Sequence, residues 1–187
     1  IGVGIDYACA LERSGEVLCW GSGEGGRLGM EDMRSRAVPS AVGLPAGADE
    51  ISVGPIAACG RAGGSVFCFG DRESPLAGET TLPRVVALPG PALSISVGVA
   101  HACAVVAMPE GRRAACWGDG DSGELGDPTF PRGAAPRVVE ALGEVDAVVA
   151  AQEATSAITA APARCIGERP PESGGRGPAS GRGTGPL

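Results

Sequence analysis

Short apolar stretches alternate with Gly-rich breaks along most of the chain, and the apolar stretches repeat. Val17–Gly21 reads VLCWG, Val66–Gly70 reads VFCFG, Ala114–Gly118 reads AACWG and Ala163–Gly167 reads ARCIG. The cysteines of these stretches, Cys19, Cys68, Cys116 and Cys165, stand 49, 48 and 49 residues apart. Ahead of them lie IGVGIDYACAL from Ile1, ISVGPIAACG from Ile51 and ISVGVAHACAV from Ile95, with a degraded fourth copy, VVAAQEATSAI, from Val148. A period of this length marks an array of supersecondary units that bury their faces against each other.

Each unit reads as strand–turn–strand. In the first, Ala8–Leu11 and Val17–Trp20 flank Glu12-Arg13-Ser14-Gly15-Glu16, where a glycine can take the left-handed conformation that closes a hairpin. In the second, the turn centres on Gly63-Gly64, a strong two-residue hairpin signal. After the second strand come GSGEGGRLG from Gly21, GDRESPLAG from Gly70 and GDGDSGELG from Gly118, then a Pro followed by apolar residues. Antiparallel hairpins recurring in this way predict an all-β fold of propeller blades.

Composition agrees. Gly (32) and Pro (16) make up about a quarter of the 187 residues, yet 43% of the chain is apolar, which suits short strands and tight turns rather than disorder. Aromatics are only 3%, so Val, Ile, Leu and Ala must build the core. The net charge is −7 and every basic residue is Arg. An acidic chain is a poor partner for nucleic-acid phosphates or an anionic membrane surface. No apolar run is long enough to span a bilayer. The chain opens on Ile1 without a Met, and reads as a fragment or processed product.

The order I-S-V-G-x-x-H-A-C-A, then V-x-C-W-G, then G-x-L-G, closest at Ile95–Gly126, resembles the RCC1 (regulator of chromosome condensation) repeat, in its bacterial form in particular. The resemblance covers about residues 1–167. It implies four-stranded blades of a propeller that usually has seven. Three complete units (1–50, 51–94, 95–147) and a partial fourth (148–167) would then be a fragment whose ring cannot close. The Gly, Pro, Ser and Arg composition that starts near Pro162 predicts a disordered tail, assigned to 168–187. From Pro162 onward there are four Arg against two Glu, so the negative charge belongs to the body.

The cysteines are the main candidate chemistry. Cys9 with Cys19, Cys59 with Cys68, and Cys103 with Cys116 each straddle one predicted hairpin, and a register centred on the turn would set each pair face to face, within disulfide reach. Three disulfides would imply an oxidising, extracytoplasmic or secreted location. Six reduced, buried thiols acting as small apolar side chains would fit a cytoplasmic protein equally well. Ser156 replaces the first cysteine of the fourth unit, leaving Cys165 as an unpaired thiol. One pair per unit is too dispersed for a zinc site.

Other motifs weigh less. Gly21-Ser22-Gly23-Glu24-Gly25-Gly26 fits G-x-G-x-x-G, but no helix pattern comes after it and the motif recurs at Gly118, so it belongs to the repeat rather than to a nucleotide site. Asp119-Gly120-Asp121 is similar to part of a calcium loop without its closing Glu. His101 is the single histidine, with Tyr7 and Ala57 at equivalent positions, and is expected to fill or cap a place in its own blade. Trp20 and Trp117 follow the repeat and are expected to pack. No acid–base or nucleophile set is visible, so the sequence assigns no catalytic residue, no cofactor and no metal.

On sequence alone the chain reads as a non-catalytic protein-binding or surface-display module. Its partner would be another protein, with self-association through incomplete ring edges as a further expectation. The competing readings are a guanine-nucleotide exchange factor for a small GTPase, implied by the family resemblance, and a truncated or decaying repeat protein without independent function. An exposed apolar or aromatic patch on one face would favour the binding module.

Overall fold

Pairs of residues directly opposite each other across tight turns set the register of the whole molecule. Gly63 and Gly64, both with positive φ (55° and 83°), close a two-residue turn between Ala62 and Ser65, as the sequence predicts. In the first unit Gly15 N–H returns to Glu12 C=O, and Leu11 faces Val17. In the third, Met108 faces Gly111 across Pro109-Glu110.

The computed structural model describes residues 1–45, 47–121, 123–126, 133–151, 154–159 and 164–167. These form four antiparallel sheets, each running in chain order from one edge to the other. The first holds β1 (Gly2–Val3), β2 (Tyr7–Leu11), β3 (Val17–Gly21) and β4 (Arg36–Ala41). The second holds β5 (Ala48–Val53), β6 (Ala57–Ala62), β7 (Ser65–Gly70) and β8 (Arg84–Val86). The third holds β9 (Ala92–Val97), β10 (His101–Met108), β11 (Gly111–Gly118) and β12 (Gly133–Val138). The fourth has three strands, β13 (Ala147–Ala150), β14 (Ala154–Ile158) and β15 (Arg164–Gly167). The only helical segments among the described residues are 3-10 turns at Glu24–Gly26 and Glu140–Leu142.

Successive sheets stack face to face as blades, with β1, β5, β9 and β13 at their inner edges. Three apolar layers result. Between the first and second blades, Cys9, Val17 and Cys19 meet Ala58 and Phe69. Between the second and third, Cys59, Val66 and Cys68 meet Ala102, Ala104 and Trp117. Between the third and fourth, Cys103, Val105 and Cys116 meet Val148 and Ala157. No blade owns a core: each layer needs two neighbours, as the repeat pattern implies.

Arg164–Gly167, within the fourth copy of the repeated strand, forms β15 and pairs with Ala154–Ala157, although the Gly/Pro/Arg composition begins near Pro162. Backbone pairing supplies what the composition hides, because a strand of four residues needs little apolar patterning of its own. The tail assigned to 168–187, and the side chain of Cys165, lie outside the described residues.

Candidate binding surface

The turn that leaves each inner strand is the same in all four blades. The N–H of Gly4, Gly54, Gly98 and Ala151 each returns to the C=O of Tyr7, Ala57, His101 and Ala154, at 2.8 Å in every case. The four turns lie side by side and line one apolar depression of about 430 Å3. Val3, Ile5, Val53, Pro55, Val97 and Val99 form much of its wall, and its described lining carries no charged side chain. Val3 and Ile5 remain 71% and 66% exposed. Large apolar side chains left in water beside a concave wall form a surface suited to contact with another molecule.

The close approach of the blades shapes this depression. A Cβ on Gly54 would collide with the carbonyl oxygen of Gly98 and with Val97 in the next blade. Polar latches fix the spacing. Val97 N–H donates to Ser52 Oγ at 3.0 Å and Ala150 N–H to Ser96 Oγ at 2.9 Å, so the Ser of the ISVG motif satisfies an inner-edge amide of the adjoining blade. Ile95 N–H likewise donates to Glu50 at 3.2 Å. The first unit has Gly2 at this position, and a Cβ there would strike Val53. The recurring Ser is visible in the sequence, but its partner lies one whole unit away, and nothing local signals such a bond.

Tyr7 and His101 occupy equivalent turns and do equivalent work. Tyr7 OH donates to the Gly54 carbonyl at 2.9 Å, and burial pushes its phenol pKa up. His101 Nε2 lies 2.9 Å from Thr155 Oγ1. Burial lowers the imidazole pKa, opposed by the charge of Asp119. His101 therefore ties its blade to the next one rather than capping a place in its own. The reason is its position at the start of β10, beside the inner edge of the stack.

The Gly21–Gly29 segment contains no phosphate-binding helix. Its 3-10 turn places the Gly25 carbonyl to accept from Arg72 N–H at 3.0 Å in the next blade, and Leu28 is buried. Arg27 reaches Asp71 at 3.2 Å and Asp6 at 3.8 Å. Its glycines thus serve blade-to-blade packing. Asp119 Oδ1 accepts from Asp121 N–H at 3.2 Å, a local turn bond. Among the described residues no three His, Cys, Asp or Glu side chains come together as a metal site. Trp117 is buried, Phe69 too, and Trp20 is half-buried.

The six paired cysteines stand away from the depression, in the middle strands. Cys9–Cys19, Cys59–Cys68 and Cys103–Cys116 are direct register partners, each with Cα atoms 4.1 Å apart and sulfurs at disulfide distance. The backbone of Cys165 faces Ser156.

Residues 14–61 match the family model of the Regulator of chromosome condensation (RCC1) repeat. The recurring blades extend the likeness along the chain. The chain carries RCC1-like repeats. It is 30% identical to human E3 ubiquitin-protein ligase HERC2 over 74% of its own length, spanning 3% of that protein. Its fold is similar to human WBSCR16 (TM-score 0.72, 18% identity, covering 83% of this chain and 43% of that one). It is also similar to Prp20p of Saccharomyces cerevisiae (TM-score 0.72, 20% identity, 88% and 44%). The ectodomain of the Physcomitrella patens receptor kinase CR4 shares the fold more distantly (TM-score 0.57, 20% identity, 89% and 39%). The RCC1-like chain thus spans less than half of each of these relatives. Yeast RCC1 has been crystallised with Kap60, and Prp20p characterised for binding to Gsp1p and histones. RCC1-like similarity of this kind supports a protein-interaction module. Among the described residues no helix is long and apolar enough to cross a membrane.

Proposed function

We propose that this RCC1-like chain is a non-catalytic protein-binding or surface-display module that holds its partner at the apolar depression lined by the four inner turns. One observation carries the reading: equivalent turns from four blades converge on a single concave apolar wall whose described lining holds no acid, base or nucleophile. A partner's apolar side chain entering there would bury Val3 and Ile5. Burial of that kind contributes roughly 25 cal/mol per Å2 before the cost of association. We further propose that the three facing cysteine pairs are oxidised and that the module works outside the reducing cytoplasm. The ectodomain relative supports that location.

A photo-crosslinking amino acid placed at Ile5, with Leu93 as an exposed control away from the depression, tests the site. In the protein's native milieu, defined adducts at position 5 that disappear on Val53→Asp are expected. Equal labelling at both positions would overturn the reading. Accelerated release of labelled GDP from a small GTPase would replace it with the exchange-factor reading.

A further inference from the structure

A second groove, sharing no lining residue with the axial depression, runs between the outer strands of two blades. Leu76, Val85 and Val86 of the second blade and Trp117 and Pro136 of the third line it, around a volume of about 370 Å3. Strands β8 and β12 flank it, and each is the terminal strand of its sheet. Their outer backbone groups therefore have no neighbouring strand in the same sheet. Val85 is 60% exposed.

Among the described residues, two donor side chains that border this groove have no protein acceptor. Trp117 is 1% exposed, and among the described residues its indole N–H has no hydrogen-bond acceptor. A buried donor without an acceptor costs about 1–3 kcal/mol, so the feature asks for a reason. Arg84, on the exposed rim, makes no ion pair among the described residues. No carboxylate stands in the described lining. The groove thus combines an apolar floor, two free strand edges and an excess of donors.

We propose that this groove binds an extended peptide segment with an apolar side chain next to a carboxylate. The apolar side chain packs on Trp117 and Leu76, and the carboxylate pairs with Arg84. The peptide backbone runs along β8, adding a strand to the second blade and bringing a carbonyl to the indole N–H. Charge selects the occupant. A basic peptide would oppose Arg84, and an uncharged apolar one would leave Arg84 without its carboxylate.

The test uses the full chain carrying Trp20→Phe, so that one indole reports. The probes are the capped tripeptide acetyl-Leu-Asp-Val-amide and its Asn and Lys analogues at the central position. The Trp117 indole N–H signal is followed by 15N–1H NMR, and affinity by titration of the shift. The Asp peptide is expected to move the signal downfield and saturate, binding about fivefold more tightly than the Asn peptide. Arg84→Gln, an exposed substitution, should erase that fivefold preference while apolar binding persists. An indole signal unmoved by millimolar Asp peptide, or an equal response to all three peptides, would overturn the proposal. So would a preference that survives Arg84→Gln.

Discussion

His101 Nε2 and Thr155 Oγ1 lie 2.9 Å apart in a buried layer and join the third blade to the fourth. Cys103 Sγ approaches the same hydroxyl at 3.5 Å. Among the described residues the fourth blade has three strands in its sheet, and this polar contact adds to the apolar layer that joins it to the third.

Burial holds the His101 pKa below its ordinary value of 6.5, so the unfolded chain takes up the proton first as the pH falls. Stability should be complete above about pH 6.5 and decline below it. Urea titrations between about pH 7 and pH 5 should show the midpoint falling with pH, and His101→Gln should flatten that slope. Thr155→Val should lower stability by about 1–3 kcal/mol at neutral pH, because the imidazole nitrogen loses its partner.

Thiol titration under denaturing, non-reducing conditions should find about one free thiol of the seven cysteines, with peptide maps linking Cys9–Cys19, Cys59–Cys68 and Cys103–Cys116. Seven free thiols would remove the argument for an oxidising location and leave the blades standing on the repeat alone. If the pairs are oxidised, replacing both Cys59 and Cys68 by Ala should reduce stability by about 2–3 kcal/mol, the loop-closure value for a short ring.

Gly54 and Gly43 make a matched pair. A Cβ at Gly54 meets the Gly98 carbonyl and Val97, whereas one at Gly43 meets nothing within 4 Å. Gly54→Ala should therefore cost about 1–3 kcal/mol, and Gly43→Ala close to nothing, by chemical denaturation.

Ser52→Ala and Ser96→Ala each remove the acceptor of one amide in the next blade. Hydrogen exchange should quicken selectively at Val97 in the first variant and at Ala150 in the second. Each loss should be about 1 kcal/mol.

The hairpins are legible in the sequence because their signals are local. Gly63-Gly64 states its turn type directly, and the cysteine spacing marks residues that do face each other. The bonds between blades are not legible. Ser52 and Val97 are 45 residues apart, and His101 and Thr155 are 54 apart. No periodicity within one unit encodes a bond to the next. The axial depression escapes for a related reason. Val3, Val53 and Val97 each look like ordinary strand-end residues, and only stacking places them around one hollow. The strand at residues 164–167 is legible only through its place in the repeat, where ARCIG stands for VLCWG, because its composition resembles that of residues 168–187.

The segment from Gly21 to Gly29 has one more consequence. It leaves the first blade, yet its Gly25 carbonyl, Arg27 and Leu28 are fastened to the second. The covalent route between blades passes separately, through the exposed Gly43. Continuity of the chain and cohesion of the stack are therefore different things here. A polypeptide cut at Gly43 would remain one body, and the two pieces made apart should find each other and reassemble.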